Sequence, residues 1–344
     1  MSNNHKPKFA MYWASSCGGC EIAVLNIGEK ILDVDAIFDV VFWPVAADFK
    51  YHHVRTYPDG YIDLCLFNGA IRTEENEEIA HLLRQKSKVL VAFGSCSHQG
   101  GIPALANLTT AKAIFQTAYL ESPSTENPDR VVPQPVTKVP EGDLNLPSFY
   151  TTVKSLDQVV EVDYTIPGCP PEPHQIWAVL QAVVAVLQGQ ASLPPKGSIL
   201  GAGNLAVCEE CPLEKHEKQI ERFYRPYEIV PQPGVCLMEQ GLVCMGPATR
   251  NGCGALCPQV NIGCRGCYGP LDGVQDQGVR LLSALASVIS AGSPQQEESE
   301  IEKEINAVVE TLPDPAGTFY RYSLAHSMLR RAKSQTGNGK KGGA

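Results

Sequence analysis

The residues best equipped for chemistry in this 344-residue chain are its thirteen cysteines. Cys17 and Cys20 stand in SSCGGCE. Two thiolates three residues apart can converge on one metal there, because glycine permits the positive φ of a close turn. Alone, such a pair also reads as a thioredoxin-like redox site or half of a zinc site. Cys96 in FGSCSHQGG and Cys169 in IPGCPPEP add two more thiols in glycine-containing segments. Four thiolates suit zinc or a four-iron cluster, and the glycines leave backbone N–H groups free to bond cluster sulfur. Further along come Cys208, Cys211, Cys236, Cys244, Cys253, Cys257, Cys264 and Cys267. Eight ligands divide into two groups of four. Repeated C-x-x-C pairs in a Gly/Pro-rich stretch point to metal, and their spacing favours iron–sulfur without separating it from zinc. Cys65, in IDLCLFN, lies among apolar residues and reads as a buried structural thiol.

These thiols need elements to position them. Apolar runs at Lys8–Ala14, Ala36–Trp43, Tyr61–Asn68, Lys88–Gly94 and Val160–Ile166 predict buried strands. Helical patterns over Glu21–Leu32, Thr73–Gln85 and His174–Leu187 alternate with them, and the acidic first turn after Thr73 suits the helix dipole. Strands alternating with helices predict a mostly parallel α/β sheet, with ligands beyond the carboxyl ends of the strands. Cys17, Cys20, Cys96 and Cys169 all follow predicted strands, so they leave the same edge. Residues Leu120–Pro147 are rich in Pro and polar residues and read as an extended surface insertion. Leu193–Gly203 reads as a domain boundary, and the cysteine-rich segment after it lacks periodicity, as a metal-stabilised unit would. Helices are predicted over Gln277–Ala291 and Glu297–Thr311, with a basic, Gly-rich, disordered end over Lys333–Ala344.

Composition narrows the function. A net charge of −9 argues against nucleic acid as a partner. No apolar run reaches the roughly 20 residues of a membrane span, and nothing at the start reads as a signal peptide. The expected compartment is the cytoplasm, where thiols stay reduced and an odd cysteine count is no obstacle.

The chain resembles the small subunit of nickel–iron hydrogenases. The likeness rests on C-G-G-C-E at Cys17–Glu21, G-S-C at Gly94–Cys96, G-C-P-P at Gly168–Pro171 and the order of the later cysteines. It implies a flavodoxin-like, doubly wound parallel sheet over 1–192, a small irregular iron–sulfur-cluster domain over 193–275 and a helical tail over 276–344. It implies three [4Fe-4S] clusters: a proximal one on Cys17, Cys20, Cys96 and Cys169, a medial one on Cys253, Cys257, Cys264 and Cys267, and a distal one on Cys208, Cys211, Cys236 and Cys244. Many members hold the distal cluster through His-x-x-Cys, and here Cys208 stands at the His position. Their medial cluster is often a three-iron centre with Pro where Cys257 offers a fourth thiolate. These departures, with FWPVAADFKY and HLLRQKSKVLVAFGSC, are most similar to a cytoplasmic branch that works with a heterodisulfide reductase and does not reduce coenzyme F420. The twin-arginine leader of exported members is absent from this sequence.

The resemblance implies that H2 is oxidised at the nickel–iron centre of a large subunit. This chain then conducts the electrons to an iron–sulfur adaptor subunit and heterodisulfide reductase. No catalytic residue is expected in the chain itself. Glu21 is a candidate proton relay, although a glutamate at a helix start also simply suits the dipole. No flavin is expected, since Cys17–Cys20 occupies the turn where a phosphate fingerprint would stand. His98 can hydrogen-bond the proximal cluster, but reads more readily as a loop or interface residue. His174, His216, His52 and His53 are not needed as ligands. Trp13, Trp43 and Tyr51 read as core or interface anchors. The alternatives are an F420-reducing or NAD(P)-linked hydrogenase small subunit, or a zinc-stabilised scaffold. A quinone-reductase subunit is disfavoured, because that family uses adjacent cysteines where this chain has C-x-x-C and lacks the eight later ones.

Overall fold

A computed structural model describes residues 6–216, 220–289 and 296–329. The chain opens with β1 (Lys8–Trp13), then α1 (Gly19–Leu25) and α2 (Ile31–Ile37). The segment predicted as one helix over Glu21–Leu32 is broken by a turn in which Gly28 adopts φ +71°, a conformation closed to most side chains. Next come β2 (Asp39–Phe42), α3 (Tyr51–Thr56), β3 (Ile62–Asn68), β4 (Ile71–Thr73), α4 (Glu74–Lys86) and β5 (Ser87–Phe93). β2 is shorter than its apolar run because α2 continues through Ile37. Thr73 starts α4 by accepting a bond from Asn76 N–H at 3.3 Å, and Glu74, Glu75 and Glu77 complement the dipole in its first turn.

After α5 (Ser95–Gln99) and α6 (Ala111–Gln116) the chain enters the insertion. It carries a hairpin of β6 (Val136–Val139) and β7 (Gly142–Asn145), and then β8 (Phe149–Lys154) pairs antiparallel with β4. β9 (Tyr164–Ile166) and α7 (Pro173–Leu187) complete the α/β unit. The main sheet has the order β2-β1-β3-β5-β9 and is parallel throughout. Counted within the sheet, that is the 2-1-3-4-5 order of flavodoxin-like folds.

Alternation along the strands divides the core. Phe9, Met11, Leu64, Leu66, Val91 and Phe93 face α1 and α7, while Ala10, Tyr12, Cys65, Phe67, Leu90 and Ala92 face α3 and α4. Ile79 and Leu83 of α4 are fully enclosed, and burying each contributes about 1.5–3 kcal/mol. The start of β9 is pinned by Asp163. Its carboxylate accepts from Arg84 Nη1 at 2.6 Å and Leu90 N–H at 2.9 Å, with Lys196 Nζ at 2.7 Å. Burial pushes that carboxyl up, but bonds from Lys196, Arg84 and Leu90 outweigh it and hold it below the ordinary range.

The described residues of 193–275 form mostly turns, with three single 3-10 turns and one short α-helix, α8 (Leu256–Gln259). Helices α9 (Gln277–Ala286), α10 (Glu298–Glu310) and α11 (Pro315–Phe319) follow. Val207, Met238 and Met245 of the irregular segment share one core with Leu281, Val308 and Phe319 of these helices. Ala70, Cys96, Ala104 and Val153 of the first unit insert into the same core. The end predicted to be disordered, Lys333–Ala344, lies outside the described residues. Among the described residues, no helix is long and apolar enough to cross a membrane.

Candidate metal centres

None of the thirteen cysteines is in a disulfide. Four of them meet at the carboxyl edge of the sheet. Cys17 and Cys20 follow β1, Cys96 sits in α5 directly after β5, and Cys169 follows β9. Burial pushes the Cys20 thiol well up, and Cys96, Cys169 and Cys17 add to the effect. Cys96 is raised to about 12 by burial and then by Cys169 and Cys17. The four sulfurs therefore lie within electrostatic reach of one another. Glycine makes the room: a Cβ on Gly94, at φ +85°, would fall inside 3.0 Å of Cys20 Sγ. On Gly101, at φ +55°, it would lie 2.6 Å from Cys96 Sγ.

The later cysteines gather in two further places. Cys208, Cys211, Cys236 and Cys244 line one small cavity with Leu213 and Leu237. Burial pushes the Cys267 thiol up to about 12, and Cys169, then Cys253 and Cys257, add to it. Cys264 is raised well above its ordinary value by burial, then by Cys244 and Cys267. One backbone bond joins the later two sets: Cys264 N–H donates to Cys244 Sγ at 3.2 Å.

Among the described residues, no three His, Cys, Asp or Glu side chains converge as the ligands of one bare ion would. A multi-iron cluster instead spreads its thiolates over separate irons. The backbone N–H of Gly19 also donates to Cys17 Sγ at 3.4 Å.

Other expected residues take definite places. Cys65 is fully buried in β3, and burial pushes its thiol up to about 12. Glu21 is enclosed, with its Oε2 accepting from Trp43 Nε1 at 2.6 Å; burial raises its carboxyl to about 7 against that bond. His98 stands in α5 and not in a loop. It is half-buried against Gly269, and desolvation, then His326, lowers it to about 3. Trp43 is a core residue, Tyr51 packs on Tyr12 and Phe42, and Trp13 is 40% exposed beside the exposed Cys17.

One functional residue is not evident from spacing. Glu210, between Cys208 and Cys211, accepts from Gly252 N–H at 3.0 Å and Ala255 N–H at 3.2 Å, fastening one cysteine loop to the next. An acidic residue between paired cysteines is its only sequence signal, and a solvated glutamate looks the same.

Comparison with known proteins bears on this arrangement. A family profile described as "NADH ubiquinone oxidoreductase, 20 Kd subunit" matches residues 17–183, the α/β unit without the later cysteines. The iron-sulfur subunit of the F420-non-reducing hydrogenase of Archaeoglobus profundus is 40% identical over 94% of this chain and 98% of its own length. The chain belongs to that hydrogenase small-subunit family. The corresponding F420-non-reducing hydrogenase subunit of Methanothermobacter thermautotrophicus is 36% identical, covering 94% of this chain and 96% of the relative. Among solved structures, the recombinant [NiFeSe] hydrogenase from Desulfovibrio vulgaris Hildenborough matches with a TM-score of 0.49. That match is 18% identical and covers 78% of this chain and 95% of that one.

As a hydrogenase small subunit the chain is an oxidoreductase component that carries iron–sulfur clusters, and its residues fit them. Neighbouring thiols repel as thiolates, and coordination to cationic iron removes that penalty by holding them deprotonated. The glycine cradles and the N–H groups aimed at sulfur are what anionic clusters need around them.

Proposed function

We propose that this subunit carries electrons from hydrogen oxidation at a nickel–iron large subunit through three [4Fe-4S] clusters. Cys17, Cys20, Cys96 and Cys169 would hold the proximal one, Cys253, Cys257, Cys264 and Cys267 the medial one, and Cys208, Cys211, Cys236 and Cys244 the distal one. The observation that carries this reading is the placement of Cys17, Cys20, Cys96 and Cys169 after parallel strands at one sheet edge, with glycine room beside Cys20 and Cys96. Such clusters supply one-electron acceptance and donation. The chain's own residues seat the sulfurs, exclude water and donate N–H bonds that favour the reduced state.

Exposed Trp13, Ile22 and Leu25 beside exposed Cys17 support a large-subunit contact at the proximal end. The similarity to F420-non-reducing relatives supports an iron–sulfur adaptor and heterodisulfide reductase as recipients, in the cytoplasm. The boundary near residue 192 would separate the proximal unit from the one bearing the other two clusters.

The test is iron and acid-labile sulfide analysis of the anaerobically purified subunit, counted apart from the iron its partners hold. Three clusters require about twelve irons per chain, and a Cys257→Pro variant about eleven, with the spin signal of a three-iron centre. Zinc without sulfide would overturn the reading.

A further inference from the structure

We propose that the first unit binds an uncharged aliphatic chain in a cavity between its sheet and α7, on the face opposite α3 and α4. The inference goes beyond the electron-carrying role and depends on no thiol's assignment.

The space begins with the sequence of α7. Its stretch AVLQAVVAVL, residues 178–187, is apolar on almost every side, the pattern of a helix enclosed all round. Yet only the first half of α7 is packed that way. Ile176, Val179 and Leu180 are buried, whereas Val183, Val184 and Val186 are half-buried. Between α7 and strands β3, β5 and β9 lies a cavity of about 320 Å³. Its floor follows β5 from Val89 to Phe93, which gives it a length of about 13 Å at the ordinary rise per residue. Folded interiors hold few voids larger than a water molecule, and an engineered apolar cavity of roughly 150 Å³ already takes up benzene. The α7 cavity is about twice that size.

The wall chemistry selects the guest. Asp63, Tyr164 and Ser192 are the polar side chains among the lining residues, and the rest are apolar or glycine. Asp63 already accepts from Lys8 N–H at 2.7 Å and from Lys88 Nζ at 2.6 Å, and the Tyr164 hydroxyl donates to Pro194 O at 2.9 Å. The facing strands pair with one another in parallel ladders. Water needs two to four polar partners to reside in a cavity, and these walls do not supply them. A charged ligand would lose its hydration for nothing in return. What fits is a guest without polar groups along its length. The wall reaches the surface at Ala191, Ser192 and Leu193, all exposed. A chain enters there, lies along β5 and leaves a polar end in solvent, and the length of the space favours a chain over a compact ring.

The test is calorimetric titration of decanol into the purified hydrogenase complex, with octanol as the shorter comparison. The expected result is a saturable site on this chain with a negative heat-capacity change. Octanol should bind roughly 15-fold more weakly, since each buried methylene is worth roughly fourfold. Val183→Phe puts a ring into the cavity and should abolish the site without lowering the melting temperature. Ala182→Leu, a smaller filler of the same wall, should weaken decanol and is the variant to read where Val183→Phe does not fold. Val184→Phe, which faces Ile37 and Phe38 on the other side of α7, should leave decanol binding unchanged. No saturable site in the complex would overturn the proposal, as would octanol binding as tightly as decanol, or decanol binding that both fillers leave intact. Iron content should be the same in all three variants, so failure of this proposal leaves the cluster reading standing.

Discussion

Replacing Gly94 by alanine is the sharpest probe of the proximal site. Gly94 links β5 to α5 at φ +85° and ψ 164°, a region that is essentially glycine-only and costs other residues about 1–3 kcal/mol. The added Cβ would fall inside 3.0 Å of Cys20 Sγ, while its next neighbours, Gly168 O at 3.5 Å and Pro171 Cδ at 3.8 Å, are in ordinary contact. The whole clash therefore falls on one sulfur. Relieving it to a normal separation moves that sulfur by roughly 1 Å, a large fraction of a metal–sulfur bond of about 2.3 Å. Gly94→Ala should drop iron from about twelve to about eight per chain and remove one cluster's spin signal. Gly28→Ala is the control, because Gly28 has φ +71° but nothing within 4 Å of the new Cβ. It should cost about 1–2 kcal/mol of stability and no iron. Full iron and unchanged spectra in Gly94→Ala would refute the placement of a cluster against Cys20.

Two further variants follow from the same contacts. Glu210→Ala frees the Gly252 and Ala255 N–H groups from a carboxylate; it should cost about 1.5–3 kcal/mol and reduce iron, whereas Glu210→Gln, which keeps an acceptor, should lose less by both melting and iron assay. Asp163→Ala removes a carboxylate only 2% exposed from its bonds to Arg84, Lys196 and Leu90. About 3 kcal/mol should be lost in denaturant titration, and a loss under 1 kcal/mol would show that these bonds do not hold β9 in place.

The α/β unit is legible in the sequence because its strands are covered on both faces and so stand out as continuous apolar runs, as in KFAMYW of β1 and SKVLVAF of β5. α4 is legible through its cap at Thr73. The proximal thiols are legible because all four follow strands that leave one edge. The β6–β7 hairpin is not, since its residues are almost all exposed and show no alternating burial. The break at Gly28 is hidden because the apolar spacing of Glu21–Leu32 runs through it. The strap formed by residues 320–327 is equally hidden, because its partners lie far away in the chain, His326 with Ser155 and Ala325 with Gln158, so no local pattern marks it. Glu210 likewise acts on Gly252, over a separation of 42 residues.

The strap also has a consequence for when the protein can be completed. Cys169, the last thiol of the proximal set, leaves the ribosome about 150 residues before Tyr322, a lag of roughly 8–30 s at ordinary rates of synthesis. The sheet edge with its four thiols can form in that interval, while the segment that later crosses behind Cys96 does not yet exist. If the first set holds a cluster as proposed, iron can reach it in that interval, before residues 320–327 pack against Gly101, Gln158 and Ser155.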